Sequence, residues 1–270
     1  MARPVWLVHL IRKAFPQRFL VAKTSRAPLW GALLDRWLFH GDDLVYLPRR
    51  QVVVVNQRPR PSVDVVVPSQ VVEHFIRQAS FPWVMHTCIC REAEGCRDYP
   101  INLGCLFLGE AARGINPCLG RPVTQEEALE HVRRCREAGL VHLVGRNKLD
   151  TVWLGVGPGE RLLTICNCCP CCCLWRVLPD LSPEIGRKVH RMPGLQIRVT
   201  DRCVGCGRCT EVCFVGAIHL QDGRAHIGEA CRGCGRCADA CPQEAIELVV
   251  EDGGVVEDLI ARLAGQVDVS

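Results

Sequence analysis

Two stretches near the C-terminal end carry cysteines at a spacing with a specific chemical use. Cys203, Cys206, Cys209 and Cys213 form C-x2-C-x2-C-x3-C, and Cys231, Cys234, Cys237 and Cys241, followed by Pro242, repeat it. Three cysteines two residues apart in a glycine-rich loop can hold three iron corners of one iron–sulfur cube, and the fourth points to the neighbouring cube. The spacing therefore predicts one 4Fe–4S cluster on Cys203, Cys206, Cys209 and Cys241, and a second on Cys231, Cys234, Cys237 and Cys213. Gly205, Gly207, Gly233 and Gly235 let each loop turn closely and leave backbone N–H groups for the sulfurs. Zinc sites use two pairs of ligands and do not fit this crossed pattern.

Ten further cysteines fall into two groups. TCICREAEGCRDYPINLGC holds Cys88, Cys90, Cys96 and Cys105, and CNCCPCCC places Cys166, Cys168, Cys169, Cys171, Cys172 and Cys173 in eight positions. One cubane takes four thiolates, so six oversupply it and ten suffice for two. In an extended chain neighbours point to opposite sides. Cys166 and Cys168 should then share a side before Pro170, and Cys171 and Cys173 a side after it. The simplest reading is that CNCCPCCC closes over one or two additional iron–sulfur clusters, with the first four cysteines opposite. Zinc and a redox-active thiol/disulfide site are the alternatives. Cys118 and Cys135 stand alone and read as packed or inert thiols.

The elements that must position these groups are partly legible. The chain has 270 residues, 20 of them cysteine, and is 48% hydrophobic and 23% charged, enough for two domains with buried cores. Residues 1–45 read as short amphipathic helices, with Trp30, Leu33, Leu34, Trp37 and Leu38 as core. QVVVVN (51–56) reads as a strand, NQRPRPS (56–62) as a connector, and Ser69 as the N-cap of a helix. Thr124 and Glu127 fit a capping box for a helix that stops at Gly139. LVHLVG (140–145) and TVWLGV (151–156) read as strands. From residue 197 the pattern is strand, cysteine loop and short helix, a hairpin at Asp222-Gly223, then a second loop, helix and strand. The tail, 255–267, reads as a helix able to dock on the body.

The paired runs resemble a two-cluster bacterial-type ferredoxin domain. Phe214 is a departure, standing where that family usually has proline. The wider order, CICR…C…YP…C, GRPVTQEEALEHV, EAGLVH…N, ICNCCPCCC and the two runs, resembles a family of anaerobe 4Fe–4S binding proteins with an N-terminal cysteine-rich (CxCR…CNCCxCCC) domain. That resemblance covers about residues 40–250 and implies an architecture more than a substrate. The expected fold class is α+β: a mixed helical and strand cysteine-rich region followed by a ferredoxin-like two-cluster βαβ repeat. Expected boundaries are a basic N-terminal region (1–80), a cysteine-rich domain (81–190), the ferredoxin domain (191–250) and a helical tail (251–270).

Other signals are weak. There is no G-x-x-x-x-G-K-[ST] loop, and GVGPGE (155–160) suits a plain turn. His142 reads as a satisfied strand histidine. Arg202, Arg208, Arg232 and Arg236 could soften the charge of thiolate-bound clusters or be ordinary solvated residues. Residues 1–60 hold 11 Lys/Arg against 3 Asp/Glu, a face for an acidic partner, a membrane surface or solvent. No run approaches the roughly 18 apolar residues of a membrane span, and the N-terminus lacks a small-residue cleavage site. So many cysteines then point to a cytoplasmic, anaerobic setting and to metal rather than disulfides. The chain reads as an electron-transfer protein serving a redox partner protein, a carrier or oxidoreductase subunit more than a stand-alone enzyme. Peripheral membrane contact is open and nucleic acid is not expected. The alternative is a redox enzyme or its subunit, with a substrate-reducing, disulfide-type centre at 166–173.

Overall fold

The computed structural model describes residues 3–49, 53–54, 67–250 and 254–270. Three short helices open the chain: α1 (Val5–Ala14), α2 (Arg18–Thr24) and α3 (Pro28–Leu34), the last running into a π-turn over Asp35–Phe39. Next come β1 (Asp43–Tyr46), β2 (Val53–Val54), α4 (Val67–Gln78), β3 (Pro82–Met85), α5 (Ile89–Ala93), β4 (Leu106–Leu108) and β5 (Gly120–Pro122). The middle of the chain holds α6 (Gln125–Glu137), β6 (Val141–Arg146), α7 (Lys148–Leu154), β7 (Leu163–Cys168), α8 (Pro183–Gly186) and β8 (Val189–Arg191). The final part is β9 (Leu195–Val199), α9 (Arg208–Glu211), the hairpin β10 (Ile218–Gln221) and β11 (Arg224–Ile227), α10 (Arg236–Ala240), β12 (Ile246–Val250) and α11 (Val255–Ala264). The fold is a mixed α/β one with open sheets, as expected.

Seven strands form the main sheet in the order β5-β3-β4-β7-β6-β1-β8, antiparallel except where β8 runs parallel to β1. A smaller sheet, β2-β12-β9, links the last part of the chain to the segment after β1. The period of two sorts each strand's side chains between two cores. On one side Val45, Val144 and Ile165 meet Phe75 and Ile76 of α4, Val132 of α6 and Leu259 and Leu263 of α11. Leu44, Tyr46, Leu143 and Cys168 face the other side and meet Trp175, Val177 and Ile185. Strand periodicity thus puts Cys166 and Cys168 on the face away from α4 and α6, as the sequence predicts.

The capping box of α6 is present: Thr124 Oγ1 accepts from Glu127 N at 3.2 Å, and Glu127 Oε2 accepts from Thr124 N at 2.9 Å. Gly139 ends that helix with φ +81°, and the Asp222-Gly223 hairpin forms with both residues at positive φ. The tail helix α11 docks, and its Arg262 makes a two-pronged ion pair with Asp43 of β1 at 2.6 and 2.8 Å.

Three expectations fail. TVWL of TVWLGV is helical, the end of α7, with Gly155 its left-handed cap, and the strand beside β6 is the later segment β7. The cap of α7 is remote in sequence, because Asp42 Oδ1 accepts from Lys148 N at 2.6 Å. Ser69 lies inside the first turn of α4 rather than capping it. Trp30 and Trp37 are 46% and 57% exposed, so they are not core. Of the 51–56 strand, Val53–Val54 forms β2; the rest of it, and the 56–62 connector, lie outside the described residues.

Asp42 predicts a pH dependence. Burial pushes its carboxyl up to about 7, resisted by the Lys148 N–H and by Lys188 and Arg146, and reinforced by Asp150. Its Oδ2 is buried without a partner. A raised carboxylate pKa means that the folded state keeps the proton and is penalised as pH rises towards 7. Asp42→Asn, which keeps an acceptor for Lys148 N, should match the wild type near pH 4. Above pH 7 it should gain on the order of 2–4 kcal/mol. Anaerobic denaturant unfolding of both proteins across this range measures the difference.

Candidate metal centres

The two repeated runs fold into matching cradles. Cys203, Cys206, Cys209 and Cys241 line one small cavity, and Cys213, Cys231, Cys234 and Cys237 line another. The fourth cysteine of each run has crossed to the other run's loop. The loops superpose in conformation: Gly205 and Gly233 have φ +67° and +66°, and Gly207 and Gly235 +80° and +81°. A side chain at Gly205 would meet the Gly223 carbonyl oxygen at 2.4 Å, so the loop has no room for one. Backbone N–H groups reach the sulfurs in equivalent places. Ala217 N donates to Cys213 Sγ at 3.2 Å and Ala245 N to Cys241 Sγ at 3.3 Å, each four residues on. Gly233 N donates to Cys231 Sγ at 3.4 Å. Such bonds stabilise thiolates over thiols, as cluster ligation requires.

The ten remaining cysteines fall into a six and a four that meet at Cys169. Cys88, Cys90, Cys105, Cys166, Cys168 and Cys173 line a cavity of about 320 Å³ that Cys169 also reaches and whose other walls are mostly apolar. Cys105 Sγ lies 3.8 Å from Cys166 Sγ. Cys90 hydrogen-bonds to Cys88, which with the Arg91 charge pulls Cys88 down in pKa, and Cys168 does the same for Cys173. Cys96, Cys169, Cys171 and Cys172 form the second group, with all four sulfurs within 4.8 Å of one another. Cys171 and Cys173 therefore face different sites, contrary to the expected shared side. The chain turns at 170–172 instead of continuing extended, and Cys172 N donates back to Cys169 Sγ at 3.3 Å.

Neither lone cysteine belongs to the cavity lining or to the sulfur quartet. Cys118 is exposed. Cys135 packs beside Leu103 and Leu140, and burial pushes its thiol up to about 12, an unreactive state.

Arg91 tests whether the cysteine-rich region suits an anionic centre. It is completely buried, donates to Asn167 O at 2.7 Å and to Leu103 O, and leaves Nε without a partner. Among the described residues no carboxylate pairs with it. Burial works against its charge, yet Cys88, Cys169 and Cys105 together hold its pKa above the ordinary value. A buried cation needs a compensating anion, and the anions available are thiolates. The donor set and the cation therefore fit a thiolate-bound metal centre. Arg236 repeats the device: it is buried and donates to Cys168 O and to Gly139 O. Arg202, by contrast, is spent on Glu247 at 3.0 Å at the surface.

His142 is only half satisfied. Its Nδ1 donates to Asn167 Oδ1 at 2.8 Å, Nε2 has no partner, and burial lowers its pKa to about 4, so the ring is neutral. Sequence reasoning missed Arg91, Asn167 and Tyr46. The signal for the first two was their place inside cysteine motifs, where an ion or amide has to be buried with its neighbours. Phe214, the departure from proline, packs at a tilt against Tyr46, with ring centroids 5.3 Å apart, and joins the second cradle to the main sheet.

Residues 202–246 match the family described as 4Fe-4S dicluster domain. No curated protein and no solved structure matches the chain. The matched segment and the cysteine cradles together support iron–sulfur chemistry, and the matched part is a ferredoxin-type domain.

Arg91→Met should destabilise the metal-loaded protein by about 3–5 kcal/mol, because it leaves buried thiolate charge uncompensated. Anaerobic unfolding measures this, and metal analysis should show losses confined to the cysteine-rich region. A variant that keeps both stability and metal would show that the cation balances nothing.

Proposed function

We propose that this protein is an electron-transfer iron–sulfur protein with two 4Fe–4S clusters in its 202–246 segment and a third iron–sulfur centre in the six-cysteine cavity. The observation that carries the reading is the crossed gathering of the eight repeat cysteines around two matched cavities. Cys203, Cys206, Cys209 and Cys241 would hold one cluster, and Cys213, Cys231, Cys234 and Cys237 the other. Clusters bound there would supply one-electron transfer. The cysteine-rich centre would draw on Cys88, Cys90, Cys105, Cys166, Cys168 and Cys173.

The chain's own residues give these sites an order. Cys206 is exposed, beside the exposed Val204 and Leu220, so the first cradle faces a redox partner. The second cradle lies inward. Its Cys213, Phe214, Cys231 and Cys234 pack into the same core as Tyr46, Cys168 and Cys173. Tyr46 Oη stands 3.9 Å from Cys168 Sγ, and Arg236, next to Cys237, donates to the Cys168 carbonyl. Tyr46 and Arg236 therefore occupy the short path between the second cradle and the six-cysteine cavity.

A second reading draws on that cavity's size. At about 320 Å³ with apolar walls it sits at the lower end of small-molecule sites. A substrate-reducing centre of disulfide type would use it. Anaerobic turnover of small disulfides with a chemical reductant would favour this reading, and inertness would favour a carrier.

Iron and acid-labile sulfide per full-length chain, with EPR of the reduced protein, test the proposal. More than eight irons are expected. Cys241→Ser should disturb the cluster of the Cys203 loop and leave that of the Cys231 loop. Four irons or fewer, or zinc in their place, would sink the assignment.

A further inference from the structure

The four cysteines of the second group, of which only Cys169 reaches the cavity wall, have a geometry of their own. Cys96 Sγ is 3.6 Å from Cys171 Sγ, Cys171 Sγ is 3.5 Å from Cys172 Sγ, and no pair among the four exceeds 4.8 Å. A single ion with metal–sulfur bonds of about 2.3 Å at tetrahedral angles sets its sulfurs about 3.8 Å apart. A cubane puts each thiolate on a different iron, which spreads the sulfurs to about 6 Å. A two-iron cluster would likewise hold some of its sulfurs that far apart. The quartet is thus the size of one ion and too small for a cluster. We propose that Cys96, Cys169, Cys171 and Cys172 bind one tetrahedral four-thiolate metal ion, zinc or mononuclear iron, separate from any iron–sulfur centre.

The surroundings suit that ion. Three ligands come from one turn, C-P-C-C at 169–172, and Arg176 Nη1 holds this turn through the Cys171 carbonyl at 2.5 Å. The fourth, Cys96, comes from the loop after α5 and stands 3.6 Å from Cys171 Sγ. Leu103, Leu140 and Cys135 close the inner side of the quartet. The ion would tie two segments 73 or more residues apart. One of these is the loop after α5, which carries Cys88, Cys90 and Arg91, and the other is the end of β7, which carries Cys166 and Cys168. The site is therefore a staple that sets the six-cysteine cavity's two walls against each other.

The test needs only the full-length protein, purified anaerobically. Cluster iron is accompanied by inorganic sulfide, whereas a four-thiolate ion brings none. Zinc plus iron should exceed acid-labile sulfide by one per chain. X-ray absorption at the edge of the excess metal should show four sulfurs at about 2.3 Å and no metal neighbour; whichever edge responds distinguishes zinc from iron. Cys96→Ser should lower total metal by one and leave sulfide unchanged. A fall of about four sulfides in that variant, or a metal neighbour in the absorption data, would overturn the proposal in favour of a cluster. Unchanged metal with four titratable thiols would overturn it in favour of an empty thiol group. None of these outcomes touches the eight irons of the 202–246 segment, so the two proposals fail separately.

A different set of side chains carries a second inference. Nine large apolar side chains are exposed among the described residues, and seven of them lie between residues 6 and 37, with Leu29 at 91% and Trp6 at 66%. Lys13 and Lys23 are exposed on α1 and α2, Arg26 in the turn after α2 and Arg36 in the π-turn after α3. The one acidic residue from 3 to 40 is Asp35, which is paired with Lys188. Short helices with exposed tryptophan and leucine, cationic and free of exposed acid, match an anionic lipid surface in both polarity and charge. We infer that α1–α3 dock on an anionic membrane surface. Val21 belongs both to this face and to the wall of the six-cysteine cavity, so docking would bring that cavity next to the lipid. Flotation with phosphatidylglycerol vesicles should recover the protein, phosphatidylcholine vesicles should not, and 0.5 M salt should release it. The triple variant Trp6→Ser, Trp30→Ser, Trp37→Ser should weaken vesicle binding at least tenfold while keeping its metal content. No binding to anionic vesicles would overturn the inference. Self-association that the triple variant abolishes would do the same and assign the face to a second copy of the chain.

Discussion

A full positive charge on Arg91, sealed from water and without a carboxylate partner among the described residues, is the constraint on which the cysteine-rich region depends. An unpaired buried guanidinium would cost several kcal/mol. The groups within its reach are cysteines and backbone carbonyls, and its own Nε is left without a partner. The region is therefore stable as built only if some of those cysteines are thiolates. Thiolates in such number repel one another unless metal binds them. A metal bound by these thiolates would balance the cation, and the cation would balance the anionic centre. Arg236 plays the same part from the other side, arriving on α10 to meet the carbonyl of Cys168.

That second arginine also explains why the dicluster segment is not an appendage. Its loops and hairpin are a repeat too small to bury a core of its own. It leans on the main sheet through Phe214 against Tyr46, through Arg49, which pairs with Asp239 at 2.8 Å, and through β12 beside β2. Leu195, Ile246 and Leu248 join the core formed by α4, α6 and α11. Phe214 is informative here. A proline at that position could turn the chain, but it could not supply the aromatic surface that Tyr46 meets. The departure from the ferredoxin pattern marks a contact with the rest of the protein.

The N-terminal helices do the opposite job. Leu34, Leu38 and Phe39 turn inward to wall the six-cysteine cavity, while Trp30 and Trp37, on the same stretch, face out. A helix that is apolar on both sides has two contacts to make. One is the cavity. The other is the exposed face, where Lys13 and Lys23 lie.

By itself the sequence determined the dicluster segment almost completely. Ligand spacing, glycine positions and the Asp222-Gly223 turn are local constraints, set by a few consecutive residues and the reach of a cysteine side chain. The capping box of α6 and the in-register pair Cys166 and Cys168 were legible for the same reason. The sorting of the other ten cysteines was not. It depends on where β7 lies in the sheet, on the turn at Pro170, and on which loop approaches from 70 residues away. Nor could sequence show that α7 is a helix, since its cap is Asp42, more than 100 residues earlier. The tryptophans at helical spacing looked like core because periodicity says that a face is apolar, not what covers it. Long-range packing alone decides which thiols share a metal and which apolar face is left to meet something else.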